Sequence, residues 1–165
     1  MPHNLELKIK VESHAKLIKL LKGMNAKRMG VLNQRDIYYE VKKGLLKLRV
    51  ENGSSTLIKY LRDEKGKRWS NYELLTLTGR NPEKYLSEIL KVTTVVEKRR
   101  ELFLYDNTRI HLDQVRNLGR FLELETLLID DRRDAQKRFN KVVRMLELDL
   151  SSQIRSSYKT LLSEK

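Results

Sequence analysis

Glu6, Lys8 and Lys10 alternate with Leu5, Leu7, Ile9 and Val11, and Glu123 and Glu125 alternate with Leu122 and Leu124. Strand side chains point to opposite faces with period two, so each segment carries its charges on one face and its apolar groups on the other. Glu123 and Glu125 on one strand face can reach one cation or two neighbouring ones, and lysine and arginine supply charge and donors to phosphate oxygens. Other segments read the same way. Lys47 and Arg49 share a face with Leu45; Ile58, Tyr60 and Arg62 share one; Lys98 and Arg100 lie opposite Glu97, Arg99 and Glu101; Arg109, His111 and Asp113 lie opposite Ile110 and Leu112. Any one of these strands reads most simply as a solvent-facing side of a sheet. The set reads as a site, with carboxylates for metal and cations for a polyanion, if the sheet closes with these faces inward.

The segments that must position these residues are legible in the pattern. Strands are predicted at about 4–12, 33–41, 45–50, 56–62, 69–78, 93–105, 109–115 and 120–128, mostly in hairpin order. Asn52-Gly53 is a strong hairpin signal and Asp106-Asn107-Thr108 a turn. Ser13 is a candidate N-cap for a helix carrying Leu17, Leu20, Leu21 and Met24, and Gly23 and Gly30 punctuate that region. Asn81-Pro82 starts a second helix, Asp130 or Asp131 caps a third running to about Leu146, and a short one lies near Ser157–Leu162. Strands joined as hairpins, with three or four helices, indicate an α+β fold built on an antiparallel sheet, open or closed.

At 165 residues the chain reads as a single domain, 1–165, long enough for a proper core. The absence of cysteine excludes disulfides, thiolate zinc sites and cysteine nucleophiles, and makes the cytoplasm the expected location. No apolar run is long enough to span a bilayer and no secretory signal is visible, so no membrane association is expected. Lys and Arg total 35 against 22 Asp and Glu, a formal net charge of +13. That field attracts anions. Nucleic acid, an acidic membrane and phosphorylated small molecules are the anion classes it leaves open. It is spread along the chain and interleaved with acids, so a solvated face explains much of it, and a nucleic-acid partner is not the expected one. No P-loop, serine triad or zinc motif is present.

Several motifs carry a family resemblance. Glu6-Leu7-Lys8-Ile9-Lys10 falls in the slot of an opening Glu-x-Glu-x-Lys motif. Gln34-Arg35-Asp36-Ile37-Tyr38-Tyr39, Gly44-Leu45-Leu46-Lys47-Leu48-Arg49, Leu57 to Asp63 and Ser70-Asn71-Tyr72-Glu73 come next in order. Arg109 to Glu125 is the strongest match, and Ser157-Tyr158-x-x-Leu161-Leu162 is similar to the C-terminal segment of class IV adenylate cyclases. Over nearly its full length the chain resembles the CYTH family, the triphosphate tunnel metalloenzymes, and most of all its class IV cyclase branch.

The resemblance implies an antiparallel eight-stranded β-barrel with helices packed outside and a charged tunnel within. It implies that Glu6, Asp113, Glu123 and Glu125 serve Mg²⁺ or Mn²⁺. Lys10, Lys47, Arg49, Arg62, Lys98 and Arg100 would hold the triphosphate of ATP, thiamine triphosphate or tripolyphosphate. Two reactions are implied, cyclisation of ATP to cyclic AMP with release of pyrophosphate, or hydrolysis of an organic or inorganic triphosphate. A homodimer is compatible with the family, although no self-complementary patch is visible in the linear sequence.

One departure bears on activity. In this frame Lys8 stands where the motif has its second acid. One metal is then lost while Glu123 and Glu125 keep the other, or Lys8 binds phosphate in place of an ion, or the tunnel is a catalytically degenerate binder of nucleotide or polyphosphate. His111, on the face of Asp113, reads first as a partly exposed strand histidine and second as a candidate base.

Overall fold

The computed structural model describes residues 3–62 and 69–165, with the side chains of residues 62 and 69–71 outside the description. The elements run β1 (His3–Val11), α1 (Ala15–Gly23), β2 (Lys27–Tyr39), β3 (Leu45–Glu51), β4 (Ser54–Arg62), β5 (Trp69–Leu77), α2 (Pro82–Ile89), β6 (Val92–Tyr105), β7 (Thr108–Val115), β8 (Gly119–Leu127), α3 (Arg132–Met145), a 3₁₀ turn (Leu150–Ser152) and α4 (Tyr158–Ser163). The eight strands close into an antiparallel barrel in the order β1-β5-β4-β3-β2-β6-β7-β8. β1 seals it, pairing with β8 from Asn4 to Val11 and with β5 over His3 to Leu5.

The period-two pattern decides which faces are inside. Leu5, Leu7 and Ile9 point outward from β1 and join Ile110, Leu112, Leu122 and Leu124 beneath α1 and α3. Leu17 and Leu21 of α1 and Phe139, Val142, Val143 and Leu146 of α3 complete that core. A second outer layer packs Ile37, Tyr39 and Leu48 against Leu86 and Leu90 on and after α2. Burying these apolar faces against helices leaves the charged faces turned into the barrel. A third cluster lies partly inside it, where Tyr158 meets Tyr38, Val96, Val115 and Phe121.

The caps and turns act as their residue types dictate. Asn81 accepts from Lys84 N at 3.1 Å and Asp131 from Asp134 N at 2.7 Å. Asn52 and Gly53, and Asp106 and Asn107, take positive φ, the conformation a two-residue hairpin turn needs. Two features differ from the sequence expectation. β2 begins at Lys27 rather than Asn33, because the pairing with β6 shifts register between Arg28 and Gly30 and continues past the shift. Gly30 sits there at φ +126, so a bulge replaces a strand end. At α1 the N-cap position falls on His14, and Ser13 Oγ accepts from Ala15 N at 3.1 Å instead.

Gly44, which leads into β3, has φ +71, and a Cβ there would meet Leu61 Cδ2 at 2.5 Å and Tyr60 O at 2.6 Å. Gly44→Ala is expected to lower the unfolding free energy by about 1–3 kcal/mol, read from urea denaturation, since both the backbone and the space resist a side chain.

Candidate functional site

The inward faces enclose a cavity of about 1130 Å³ lined by Lys8, Lys47, Arg49, Lys98, Arg100 and Arg109, with Glu6, Glu123 and Glu125. Its charges are organised on two buried aspartates. Asp36 of β2 is fully buried. Arg49 grips it from β3 through Nε to Oδ1 and Nη2 to Oδ2, both at 2.8 Å. Lys47 Nζ and Lys98 Nζ each donate to Oδ2 at 3.1 Å. Strand register explains the convergence, because Asp36 pairs with Arg49 on one side and Val96 on the other. Burial alone would push the Asp36 carboxyl up; the charges of Lys47, Lys98 and Arg49 outweigh it and hold the group well below the usual carboxylate range. The same burial, together with Arg49, Arg100 and Lys47 nearby, pushes the Lys98 ammonium down to about 7, against the pull of Asp36.

Arg100 of β6 organises the second group. It forks onto Asp113 of β7 with Nε to Oδ1 and Nη2 to Oδ2 at 2.7 Å, and Nη2 also donates to Glu123 Oε2 at 2.8 Å. Asp113 is fully buried and takes a further hydrogen bond from the Tyr158 hydroxyl at 2.7 Å. Burial opposes charge on both acids, but Arg100 prevails and holds Asp113 below its ordinary range and Glu123 well below. His111 is buried too; desolvation first, then Arg100, lowers its pKa, which keeps the ring neutral. Among the described residues its Nδ1 has no hydrogen-bond partner, and it lies 3.9 Å from Glu123 Oε2.

Lys8 faces Glu123 across the β1–β8 pair, with Nζ 3.5 Å from Oε1. The segment before α4 holds it: Nζ donates to Ser156 O at 2.9 Å and lies 4.2 Å from the centre of the Tyr158 ring. That ring in turn packs edge-on against Phe121, centroids 5.0 Å apart. Glu6 accepts from the Tyr60 hydroxyl. Glu125 accepts from Arg109 Nη1 at 3.2 Å and Asn4 Nδ2 at 2.5 Å.

The barrel therefore brings Glu6, Asp113, Glu123 and Glu125 together with Lys47, Arg49, Lys98 and Arg100, and adds Lys8 and His111. Lys10 is exposed and does not line the cavity. Its Nζ stands 5.9 Å from the Phe121 ring, near the end of β1. The inward trio of β1 that meets the tunnel acids and Tyr60 is thus Asn4, Glu6 and Lys8. The Arg62 side chain lies outside the described residues.

Four contributors do not stand out as site residues in the sequence. Asp36 lies inside one of the family motifs as an acid flanked by Ile37-Tyr38-Tyr39, a signal of burial with a partner. Arg109 is visible by parity with Asp113. Asn4 carries no local signal, and Tyr158 lies in the C-terminal motif without its partner being legible there, because Glu125 and Asp113 lie far away in sequence.

The acids do not form a ready metal centre. Asp113 has both oxygens on Arg100, Glu123 is shared by Arg100 and Lys8, and Glu125 by Arg109 and Asn4. Among the described residues no three His, Cys, Asp or Glu side chains are grouped to hold an ion. The donor set does not fit the metal that the family resemblance implies.

The fold has solved counterparts. The PH1012 protein of Pyrococcus horikoshii superposes with a TM-score of 0.81 at 25% identity, over 96% of this chain and 98% of that one. A Vibrio parahaemolyticus protein provisionally assigned as an adenylate cyclase gives 0.78 at 21% identity over 97% of each chain. A Hippeastrum protein, provisionally assigned as an adenylyl cyclase and showing dominant triphosphatase activity, gives 0.70 at 11% identity over 99% of this chain and 96% of that one. No curated protein matches the chain. No helix among the described residues is long and apolar enough to cross a membrane. CYTH proteins are metal-dependent processors of triphosphates. The CYTH domain profile matches residues 2–158, and with the eight-stranded tunnel and its charged lining this chain belongs to the CYTH domain family.

Proposed function

We propose that the tunnel holds the triphosphate of a small molecule, ATP, thiamine triphosphate or tripolyphosphate, and that the chain acts on it. The convergence of Lys47, Arg49, Lys98 and Arg100 on one cavity carries this reading. Cations fixed in place before the ligand arrives lose little freedom when they bind it, and a partly desolvated site strengthens their pull on phosphate oxygens. Asp36 and Asp113 serve as anchors that aim those cations. Two reactions fit: attack of a ribose 3′-hydroxyl on the α-phosphorus, releasing pyrophosphate, or attack of water on the terminal phosphorus. In both, the guanidinium and ammonium groups stabilise charge on the departing phosphate. The terminal Ser157-Tyr158 segment, similar to that of class IV cyclases, favours the first. The cysteine-free composition supports a cytoplasmic location, and the family resemblance is compatible with a homodimer.

A second reading is a binder that does not turn its ligand over. It is favoured by the engagement of Glu6, Asp113, Glu123 and Glu125 with a cation or a hydrogen-bond donor of the protein itself. Incubation with each triphosphate, with and without Mg²⁺ or Mn²⁺, separates the two. Release of cyclic AMP, pyrophosphate or phosphate that Arg49→Met suppresses supports the enzyme. Binding without products supports the second reading. Failure to bind any triphosphate overturns both.

Lys98 gives the site a pH dependence. Below about 7 its ammonium is charged; above, it is neutral and contributes no charge to phosphate. Tripolyphosphate affinity is expected to fall as pH rises through neutrality, with proton uptake on binding at pH 7–8. Calorimetry in buffers of different ionisation heat measures that uptake, and Lys98→Met is expected to remove the protein's share of it.

A further inference from the structure

Building on the reading of the tunnel as a triphosphate site, we infer that it grips the ligand with its own fixed cations and needs no divalent ion to bind. Carboxylates in a site for a polyanion repel it unless something neutralises them. A shared divalent ion is one solution; protein donors on every acid are the other, and this chain has the second.

Asn4 is the decisive residue. It is 1% exposed and precedes Glu6 on the inward face of β1. Its amide donates to Glu125 Oε1 at 2.5 Å. An acid at this position would set two carboxylates against each other and demand a cation between them. The amide instead supplies a donor, while Arg109 covers the same oxygen at 3.2 Å. Across the barrel wall Lys8 is pinned by Ser156 O at 2.9 Å and by the face of Tyr158, with Glu123 at 3.5 Å. A lysine so confined acts as a fixed point charge where an ion would otherwise sit between Glu123 and a phosphate.

The charge balance agrees. Nine cationic side chains line the cavity against the three acids Glu6, Glu123 and Glu125, with Asp36 and Asp113 behind them. Cations therefore outnumber acids even when every acid keeps one. The cations in excess of the acids can meet phosphate oxygens through charge-assisted hydrogen bonds while every acid keeps its donor.

The test is isothermal titration of the full chain with tripolyphosphate, once in excess EDTA and once in excess Mg²⁺. Affinities within about threefold of each other are expected. A loss of tenfold or more in EDTA, about 1.4 kcal/mol, overturns the inference while leaving the triphosphate site intact. No binding in either medium removes the site reading and this inference with it. Asn4→Asp gives the complementary arm. With folding confirmed by circular dichroism, the variant is expected to lose roughly tenfold or more in EDTA and to regain it with Mg²⁺. An Asn4→Asp variant that binds like the parent in EDTA overturns the role assigned to the amide.

Discussion

Asp36→Ala is expected to lower the unfolding free energy by about 3–5 kcal/mol, because it strands Lys47, Arg49 and Lys98 together without their shared anion. For a chain of this length that is a fall of roughly 10 °C in Tm. Removing a single buried acid costs this much because Lys47 and Arg49 lose attraction and hydrogen bonds while their mutual repulsion remains, and Lys98, already held down to about 7 against the pull of Asp36, gives up its charge at neutral pH. An added polyanion can take over the missing charge. Tripolyphosphate should therefore raise the Tm of Asp36→Ala by more than it raises that of the parent. Urea denaturation and thermal melts with and without tripolyphosphate measure both effects. A variant within about 0.5 kcal/mol of the parent would mean that the three cations do not depend on Asp36.

Arg100→Met is the second large effect. It leaves Asp113 buried with the Tyr158 hydroxyl as its side-chain donor among the described residues and the charge of Lys98 nearby, and Glu123 with Lys8 as its nearest described cation. A loss of about 3–5 kcal/mol is expected at neutral pH. The pH dependence carries a sign. In the parent, Arg100 holds the folded-state pKa of Asp113 and Glu123 below their unfolded values. The stability they contribute is present above the unfolded carboxylate range, about pH 4, and is lost as pH falls through the folded values. In the variant burial wins at Asp113, its pKa rises above the unfolded value, and stability falls as pH rises through it. The gap between variant and parent should widen from pH 5 to pH 8 in urea denaturation. A gap independent of pH would assign Arg100 a packing role rather than an electrostatic one.

Much of this architecture is legible in the chain. The alternation of charge and apolar residues in β1, β3, β6, β7 and β8 identifies the inward faces, because period-two parity survives any later packing. Asn52-Gly53, Asn81-Pro82 and Asp131 mark turns and helix starts through local chemistry that needs no tertiary context. The extent of β2 is not legible, since Gly30 can end a strand or bulge it and only the pairing with β6 decides. Inward parity also cannot separate Lys8 from Lys10. Both lie on one face of β1, but one is opposite Glu123 under the C-terminal segment and the other is exposed beside the Phe121 end. The anchoring roles of Asn4 and Tyr158 depend on Glu125 and Asp113, more than 40 residues away, and no local pattern encodes such a pairing.

Titration of tripolyphosphate into a Lys47→Met/Arg49→Met variant, beside a Lys19→Met/Lys22→Met control on the exposed face of α1, tests the central claim most directly. Both variants lose the same formal charge. The tunnel variant is predicted to lose at least about 100-fold in affinity, the value of two charged hydrogen bonds to phosphate, while the α1 control stays within about threefold of the parent. Equal losses in the two variants would show that the ligand answers only to the overall positive field, and would contradict a triphosphate held inside the barrel.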